Sequence, residues 1–435
     1  SETSTFEDYT ETVSEWSHKL YPAENTLFKY QIASLDFYTP IDMRAPGGST
    51  AFPAIECVMD ELACGAGIDP LDFRLINYAE VDPATKKPFT SKALRECYKE
   101  AAEAFGWEKR KPQPGAVRRG KKLVGYGMAT GMWDYFQFPA RAEAFLDTDG
   151  KLIINNATTD IGTGTLTVMT QIAADEFGMK VEDIEFRYGD SKKPFSMFQG
   201  GSAGTASSGM AVIAAAKELR KKLIKAASKI ENSPLTETDE ADFAFQPGRI
   251  YDRKNPDKFV TLQDIISANK GRIIKASNLT GPNMLKLRKY AKGVHSACFA
   301  EVEIDEELKT ITVTRMVSAV AAGKIINPKT AGSQILGSMV WGLSKTLLEG
   351  SVVDDHFGKF MNQNFAEYHI PVHADVNDFQ VIFVEEYDEI INEAGIKGVG
   401  EIGIVAVPAA ICNAIYNATG KRVYDLPFHF DKLLD

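Results

Sequence analysis

Cysteine is scarce in this sequence and poorly placed for cofactor chemistry. There are five, Cys57, Cys64, Cys97, Cys298 and Cys412, and no two form a C-x-x-C pair. That argues against an iron–sulfur cluster or zinc site held by this chain alone, and an odd number of thiols fits a reducing setting. Of the six histidines, only His369 and His373 stand four apart, and Pro371 between them breaks the helix that a zincin-type metal site needs. No G-x-S-x-G elbow and no P-loop is present. Paired carboxylates for acid–base work are not evident either, since Asp354-Asp355 and Glu385-Glu386 read as solvated strand ends. Positive charge is short: a net charge of −10 disfavours a general nucleic-acid binder, which needs clustered Lys and Arg. Apolar runs are interrupted before 18 residues, so no membrane span is expected. The acidic opening S-E-T-S-T-F-E-D-Y-T-E does not have the form of a signal peptide. It reads like mid-protein sequence, so a preceding segment is expected to be missing or supplied by another subunit.

What is present is ordinary globular composition, 44% hydrophobic and 25% charged, in a chain of 435 residues that is too long for a single ordinary core. Residues 1–110 read as a helical and irregular lobe. A helix starts near Ser49-Thr50, carries Phe52, Ile55, Val58, Met59 and Leu62 at helical spacing, and ends at Gly65 and Gly67. Residues 111–122, with their Pro/Gly stretch and basic residues, read as a solvated linker. Strand-like runs at 123–129, 142–147 and 151–157 precede a helix over Thr165–Phe177, and a second helix runs from Ser208 to about Ile230. Residues 231–290 read as polar and irregular, with one short helix near Leu262–Asn269. A weak internal repeat relates A-E-A-F-L-D-T-D-G-K (142–151) to A-E-V-E-I-D-E-E-L-K (300–309), each followed by strands, a glycine-bearing loop and a helix. The expected fold is α+β, with helices packed on mixed or antiparallel sheets. Its expected parts are the lobe 1–110 and two similar cofactor-binding subdomains, 111–290 and 291–435.

Near the C-terminus, K-G-V-G-E-I-G (397–403) satisfies the dinucleotide fingerprint G-x-G-x-x-G. Its context argues against that reading. The nearest strong strand is 379–386, and a mostly polar stretch intervenes before Gly398. Glu401 would also place a carboxylate where backbone N–H groups should meet pyrophosphate. A carboxylate held at a helix start by a glycine loop is better placed to act as a base. Three more glycine-rich loops precede helices, M-R-A-P-G-G-S-T (43–50), D-I-G-T-G-T-L-T (160–167) and F-Q-G-G-S-A-G-T-A-S-S-G (198–209). Several such helix starts together point to a large phosphate-bearing cofactor.

Taken in order, M-R-A-P-G (43–47), I-G-T-G-T-L-T-V-M-T-Q-I-A-A-D-E-F-G (161–178), Y-G-D-S (188–191) with G-G-S-A-G-T-A-S-S-G (200–209), I-N-P-K-T-A-G-S-Q (326–334) and K-G-V-G-E-I-G resemble the C-terminal half of the molybdenum-binding subunit of the xanthine oxidase / aldehyde oxidoreductase family. The resemblance runs from about residue 35 to 428. It implies a molybdenum hydroxylase in which a pterin dithiolene holds the metal and no protein atom ligates it. Glu401 matches the family glutamate that takes a proton from a molybdenum-bound hydroxide. Arg44 matches an arginine near cofactor and substrate, with Met43 beside it in the substrate pocket. The resemblance places Gly162, Thr163, Gly164 and Thr165, and Gly201, Ser202, Ala203, Gly204 and Thr205, in loops that grip the pterin and its phosphates. Gln334 and Gly400 are placed beside the cofactor. It also implies the cytosine dinucleotide form of molybdopterin, [2Fe-2S] and FAD on partner subunits, and an N-terminal half supplied as a separate chain or missing segment. Departures occur at Thr163, where the family often has glutamine, at Ala203, where it often has arginine, and at Q-I-L-G-S, where it often reads Q-x-E-G-G.

The expected activity is oxidation of an aldehyde, or hydroxylation of an N-heteroaromatic, with water as the oxygen source. M-R-A-P-G leans it toward aldehydes. A non-catalytic cofactor-binding half-subunit and an NAD-dependent oxidoreductase are the alternatives. A cytoplasmic location is expected, or a periplasmic one if an exported partner carries the chain.

Overall fold

The computed structural model describes residues 11–33, 41–147 and 150–434; the opening stretch 1–10 lies outside them. Eleven α-helices are described in chain order: α1 Val13–Trp16, α2 Gly48–Ala66, α3 Pro70–Ile76, α4 Leu94–Phe105, α5 Thr165–Phe177, α6 Met210–Ser228, α7 Leu262–Ala268, α8 Met284–Leu287, α9 Pro328–Leu347, α10 Ile402–Val405 and α11 Val407–Thr419. The strands are β1 Val117–Arg119, β2 Lys122–Asp134, β3 Ala140–Leu146, β4 Leu152–Asn155, β5 Ile184–Arg187, β6 Phe243–Gln246, β7 Arg249–Asp252, β8 Asn255–Thr261, β9 Ile274–Thr280, β10 Gly293–Asp305, β11 Ile311–Ala321, β12 Val353–Asp354, β13 Lys359–Phe360 and β14 Asp378–Phe383.

The central sheet has the order β1-β2-β10-β11-β14. Its middle strands are buried along almost their whole length, with no alternation of apolar and polar residues, because both faces are covered. α4 packs on one face and α11 on the other. α11 reaches the sheet closely through Gly125 and Gly127 of β2. A Cβ on these two residues would fall 2.0 Å from the Ala414 carbonyl oxygen and 2.2 Å from that of Ala410. Only glycine allows that approach.

The second sheet, β5-β4-β3-β9, carries α5 and α6 and holds its own apolar core. The repeat seen in the sequence has a structural counterpart. β3 and β4 form an antiparallel pair, α5 follows, and β5 returns parallel to β4. β10 and β11 pair the same way, α9 follows, and β14 returns parallel to β11. Segments 111–290 and 291–435 each supply one such unit. They also share the central sheet, because β2 pairs with β10 in unbroken antiparallel register from Gly293↔Asp134 to Asp305↔Lys122.

The structure corrects several expectations. Residues 231–290 are not irregular: they contain the three-stranded sheet β6-β7-β8 and the edge strand β9. Much of β8, N-P-D-K-F-V-T, is exposed, so it lacks a core-facing pattern to read. The stretch 111–122 is not simply a linker, since β1 pairs with β2, and Arg119 and Lys122 pair with Glu303 while Arg118 pairs with Glu306. Glu386 is not a solvated strand end; it is buried. α10 and α11 together give one stretch, Ile402–Thr419, long and apolar enough to cross a bilayer by length and composition alone. With 89% of it buried inside the protein, it serves as the core helix of the central sheet.

Candidate active site

The loop Lys397–Gly403 is anchored before it reaches the surface. Lys397 is wholly buried, and its Nζ lies 3.2 Å from Glu386 Oε1 and 3.1 Å from Asp388 Oδ2. It also donates to Ser91 Oγ at 2.6 Å and to the Gly293 carbonyl at 3.1 Å. The second Glu386 oxygen accepts from Gly323 N–H at 2.7 Å, which fixes the carboxylate to the end of the central sheet. Burial alone would raise the Asp388 pKa, but Lys397, with hydrogen bonds from Ile391 N–H and Ser91, holds it below its ordinary value. A charge cluster this dry is tolerated because each carboxylate meets the ammonium and further donors.

Beyond this anchor the loop packs on the 200–205 loop. A Cβ on Gly398 would sit 2.0 Å from the Ser202 carbonyl oxygen. Gly398→Ala is therefore expected to push the loop off its seat, costing about 1–3 kcal/mol through overpacking. A lowered thermal midpoint together with reduced cofactor content would report it, and a variant with both unchanged would contradict this account of the loop.

Glu401 stands at the N-cap of α10. Its Oε1 accepts from Ala45 N–H at 3.3 Å and its Oε2 from Ser202 Oγ at 3.3 Å. Arg44 crosses behind it, donating from Nε to the Gly400 carbonyl at 2.5 Å and from one terminal nitrogen to the Gln334 carbonyl and side-chain oxygens, both at 3.1 Å. Gln334 Nε2 in turn donates to the Gly162 carbonyl at 3.3 Å. Burial raises the Glu401 pKa above its ordinary value and Asp42 adds to this, while Ala45 N–H, Ser202 and Arg44 oppose it. Burial lowers the Arg44 pKa, against the pull of Glu401. The arrangement is a half-dry carboxyl group that can hold or release a proton, beside a cation locked to backbone.

Arg44, Gly162, Ser202, Gln334, Gly400 and Glu401 thus converge from five separate stretches of chain. Gly164 is close-packed against Thr330, where a Cβ would lie 2.7 Å from Cγ2. Thr163 and Thr165 pair with each other through their hydroxyls, 3.0 Å apart. Ala203 turns into the core, Gly204 abuts Gln199, and Thr205 opens a single π-helical turn ahead of α6. Met43 is exposed, its side chain outside the hydrogen-bonded set. The backbone amides of Gly162, Thr163 and Gly164 all donate to Asp160 Oδ1, so that loop is a turn closed by its own carboxylate. Sequence reading missed Asp160, Ala45 and the Lys397 cluster. A lysine set directly before a glycine loop in an apolar context was the one available signal for the last.

The dinucleotide reading of 398–403 finds no support in this geometry. β14 ends at Phe383, no strand runs into Gly398, and Gly398 is pressed against Ser202.

A pterin cofactor fits the residues present. A Cβ on Gly162 or Gly332 meets nothing within 4 Å, so the backbone at both glycines is open to a ligand. The side chains gathered near Gly162 are an arginine, an amide and hydroxyls, which suit an anionic, hydrogen-bonding ligand. Among the described residues no group of three or more His, Cys, Asp or Glu is placed to hold a metal ion.

Residues 100–377 match the molybdopterin cofactor-binding domain, and the chain belongs to that family. Among curated proteins it is 37% identical over 426 residues to the aldehyde oxidoreductase molybdenum-binding subunit PaoC of Escherichia coli K12, covering 98% of this chain and 56% of that protein. It is 28% identical to the putative xanthine dehydrogenase molybdenum-binding subunit XdhA of the same organism, covering 92% of this chain and 54% of that one. The chain therefore spans about half the length of the curated relatives it matches. Among solved structures, quinoline 2-oxidoreductase from Pseudomonas putida 86 shares the fold with a TM-score of 0.78 at 21% identity, over 90% of this chain and 52% of that one. Aldehyde oxidoreductase from Desulfovibrio gigas does so with a TM-score of 0.71 at 22% identity, over 90% of this chain and 41% of that one.

Proposed function

We propose that this chain is the part of a molybdenum hydroxylase subunit that supplies the general base, and that the base is Glu401. The observation that carries this reading is a half-buried carboxyl group with a raised pKa, fixed by two donors at a helix start. When bound, the cofactor supplies an activated water-derived oxygen and accepts two electrons. Glu401 is the proton acceptor, poised by burial to change protonation state closer to neutral pH than an exposed glutamate would. Arg44 holds the Gly400 carbonyl and Gln334 in place, and so ties the base loop to α9. The substrate is an aldehyde in preference to an N-heteroaromatic, a choice supported by the M-R-A-P-G motif and by the name of the 37% identical relative.

The pterin is assigned as the cytosine dinucleotide form. Electrons leave through [2Fe-2S] and FAD groups on partner subunits, because the five cysteines are unpaired and scattered through this chain. The remaining length of the relatives is supplied by a partner chain or a segment beyond this sequence. The complex is assigned to the cytoplasm, or to the periplasm if a partner carries the export signal.

The test is metal and nucleotide analysis of the purified complex. Molybdenum stoichiometric with the chain, and CMP released on acid hydrolysis, are expected. Bound NAD without molybdenum would overturn the reading. Stoichiometric cofactor with no turnover on any aldehyde or N-heterocycle would favour a cofactor-binding half-subunit.

A further inference from the structure

Two residues touch the Glu401 carboxylate with hydrogen-bond donors, and both sit in the left-handed region of backbone space. Ala45 has φ 56° and Ser202 has φ 63°. Neither alanine nor serine favours that conformation, and non-glycine residues held there gather at functional sites where surrounding structure enforces them. The enforcement is visible. Gly398 presses on the Ser202 main chain from the catalytic loop. From behind, Trp133 Nε1 donates to the Gly201 carbonyl at 3.3 Å. The same indole packs against Gly48, just past Ala45, where a Cβ would lie 3.0 Å from its ring. It is stacked on Trp16 at 4.4 Å between centroids, so one rigid aromatic pair backs both donor loops.

We propose that Ser202 is a positioning residue for the base: its hydroxyl, rather than gripping cofactor, holds Glu401 in the orientation and charge state that proton transfer requires. The inference rests on the reading of Glu401 as the base and deepens it. The geometry gives the carboxylate one donor per oxygen, Ala45 N–H on Oε1 and Ser202 Oγ on Oε2, which leaves neither oxygen free to rotate away without losing a bond. The charged groups facing Glu401 are few. The 41–47 stretch brings Arg44 and Asp42, the 200–205 loop brings no charge, and α9 brings neutral Gln334. On its own loop, Lys397 is committed to Glu386 and Asp388. Removing the Ser202 hydroxyl therefore takes away one of the few interactions that favour the carboxylate over its acid.

The experiment compares Ser202→Ala and Ser202→Gly in the assembled holoenzyme. Both lack the hydroxyl, but the glycine variant also relieves the left-handed backbone, so a shared effect belongs to the hydroxyl. In both, the acid limb of the kcat/KM profile is expected to move up by about one pH unit and kcat near the limb to fall about tenfold, with KM little changed. Independently of turnover, the infrared carboxyl band of Glu401, assigned by its loss in Glu401→Gln, is expected to titrate higher by the same amount. If limb and band both stay at the wild-type pH in both variants while Glu401→Gln is inactive, Ser202 does not position the base. An active Glu401→Gln would instead remove the reading of Glu401 as the base, and this inference with it.

Discussion

Glu401→Gln is expected to lower kcat by about 10²–10⁴-fold, the range that a single positioned proton acceptor contributes. Molybdenum content should not change, because the carboxylate's donors are Ala45 and Ser202 and an amide of the same shape can keep one of them. The pH behaviour follows from the direction of the shift. The base must be ionised, and burial raises the Glu401 pKa above its ordinary 4.5, so the acid limb of the wild-type profile should lie above that value. The same raised pKa has an opposite consequence for stability. A group with a raised folded pKa contributes stability that is fully present below its unfolded pKa and lost as pH rises through the folded one. Wild type and Glu401→Gln should therefore unfold at similar temperatures near pH 4, with the variant the more stable of the two at pH 7. Kinetics and thermal scans at both pH values check the pair of expectations. Undiminished turnover would remove Glu401 from the chemistry, and a variant less stable at pH 7 would contradict the burial argument.

Lys397→Met should be the more damaging change to the protein itself. It leaves Glu386 and Asp388 buried side by side without their cation, and breaking such a cluster by removing one partner costs about 3–5 kcal/mol. The sign of the pH dependence should invert. In the wild type the Asp388 pKa is held down, so its contribution is present at neutral pH and is lost only as pH falls through its folded pKa, below the ordinary 3.8. Without Lys397 the two carboxylates repel, the interaction that held the Asp388 pKa down is gone, and protonation of Asp388 relieves the strain. The variant should thus recover part of its lost stability between pH 7 and pH 5, where the wild type gains nothing from Asp388. Chemical denaturation at the two pH values measures this. A loss below about 1 kcal/mol at pH 7, the scale of a surface pair, would show that the cluster is not an anchor.

Much of the scaffold was legible because its signals are local. Thr165–Phe177 reads as a helix between a glycine loop and Gly178, and the structure places α5 on those residues. The run at 123–129 lies in β2, and those at 142–147 and 151–157 overlap β3 and β4, overrunning them by one and three residues. Local signals fail where an element faces water. β8 exposes most of its side chains, and β9 places the polar Asn278 and Thr280 on its inward face and Leu279 outward, so neither shows the apolar alternation that marks a half-buried strand. Glu386 looked solvated because nothing in its own neighbourhood announces Lys397, and the charge that admits it to the interior sits eleven residues further on. At the site, the glycine loop and its carboxylate marked Glu401 directly. The donors to that carboxylate were not readable. Ala45 and Ser202 hold left-handed backbone, with Gly398 pressed on Ser202 and Trp133 packed against the neighbouring Gly48 and Gly201, and residue type alone gives no hint of that.

The spacing of those contacts along the chain also sets the order in which the molecule can be made. Ala45 and Ser202 leave the ribosome 356 and 199 residues ahead of the carboxylate they hold. β2 likewise waits for β10, and α11, which roofs β2, is made later still. Closing loops of that length must precede the contacts that reward it. A half-synthesised chain therefore exposes Gly125 and Gly127 with no helix to cover them and has no assembled pocket. Any ligand held jointly by Arg44, Gln334 and Glu401 can be gripped in full only once Glu401 has been made. Such a ligand could not template the folding of the segments that precede it.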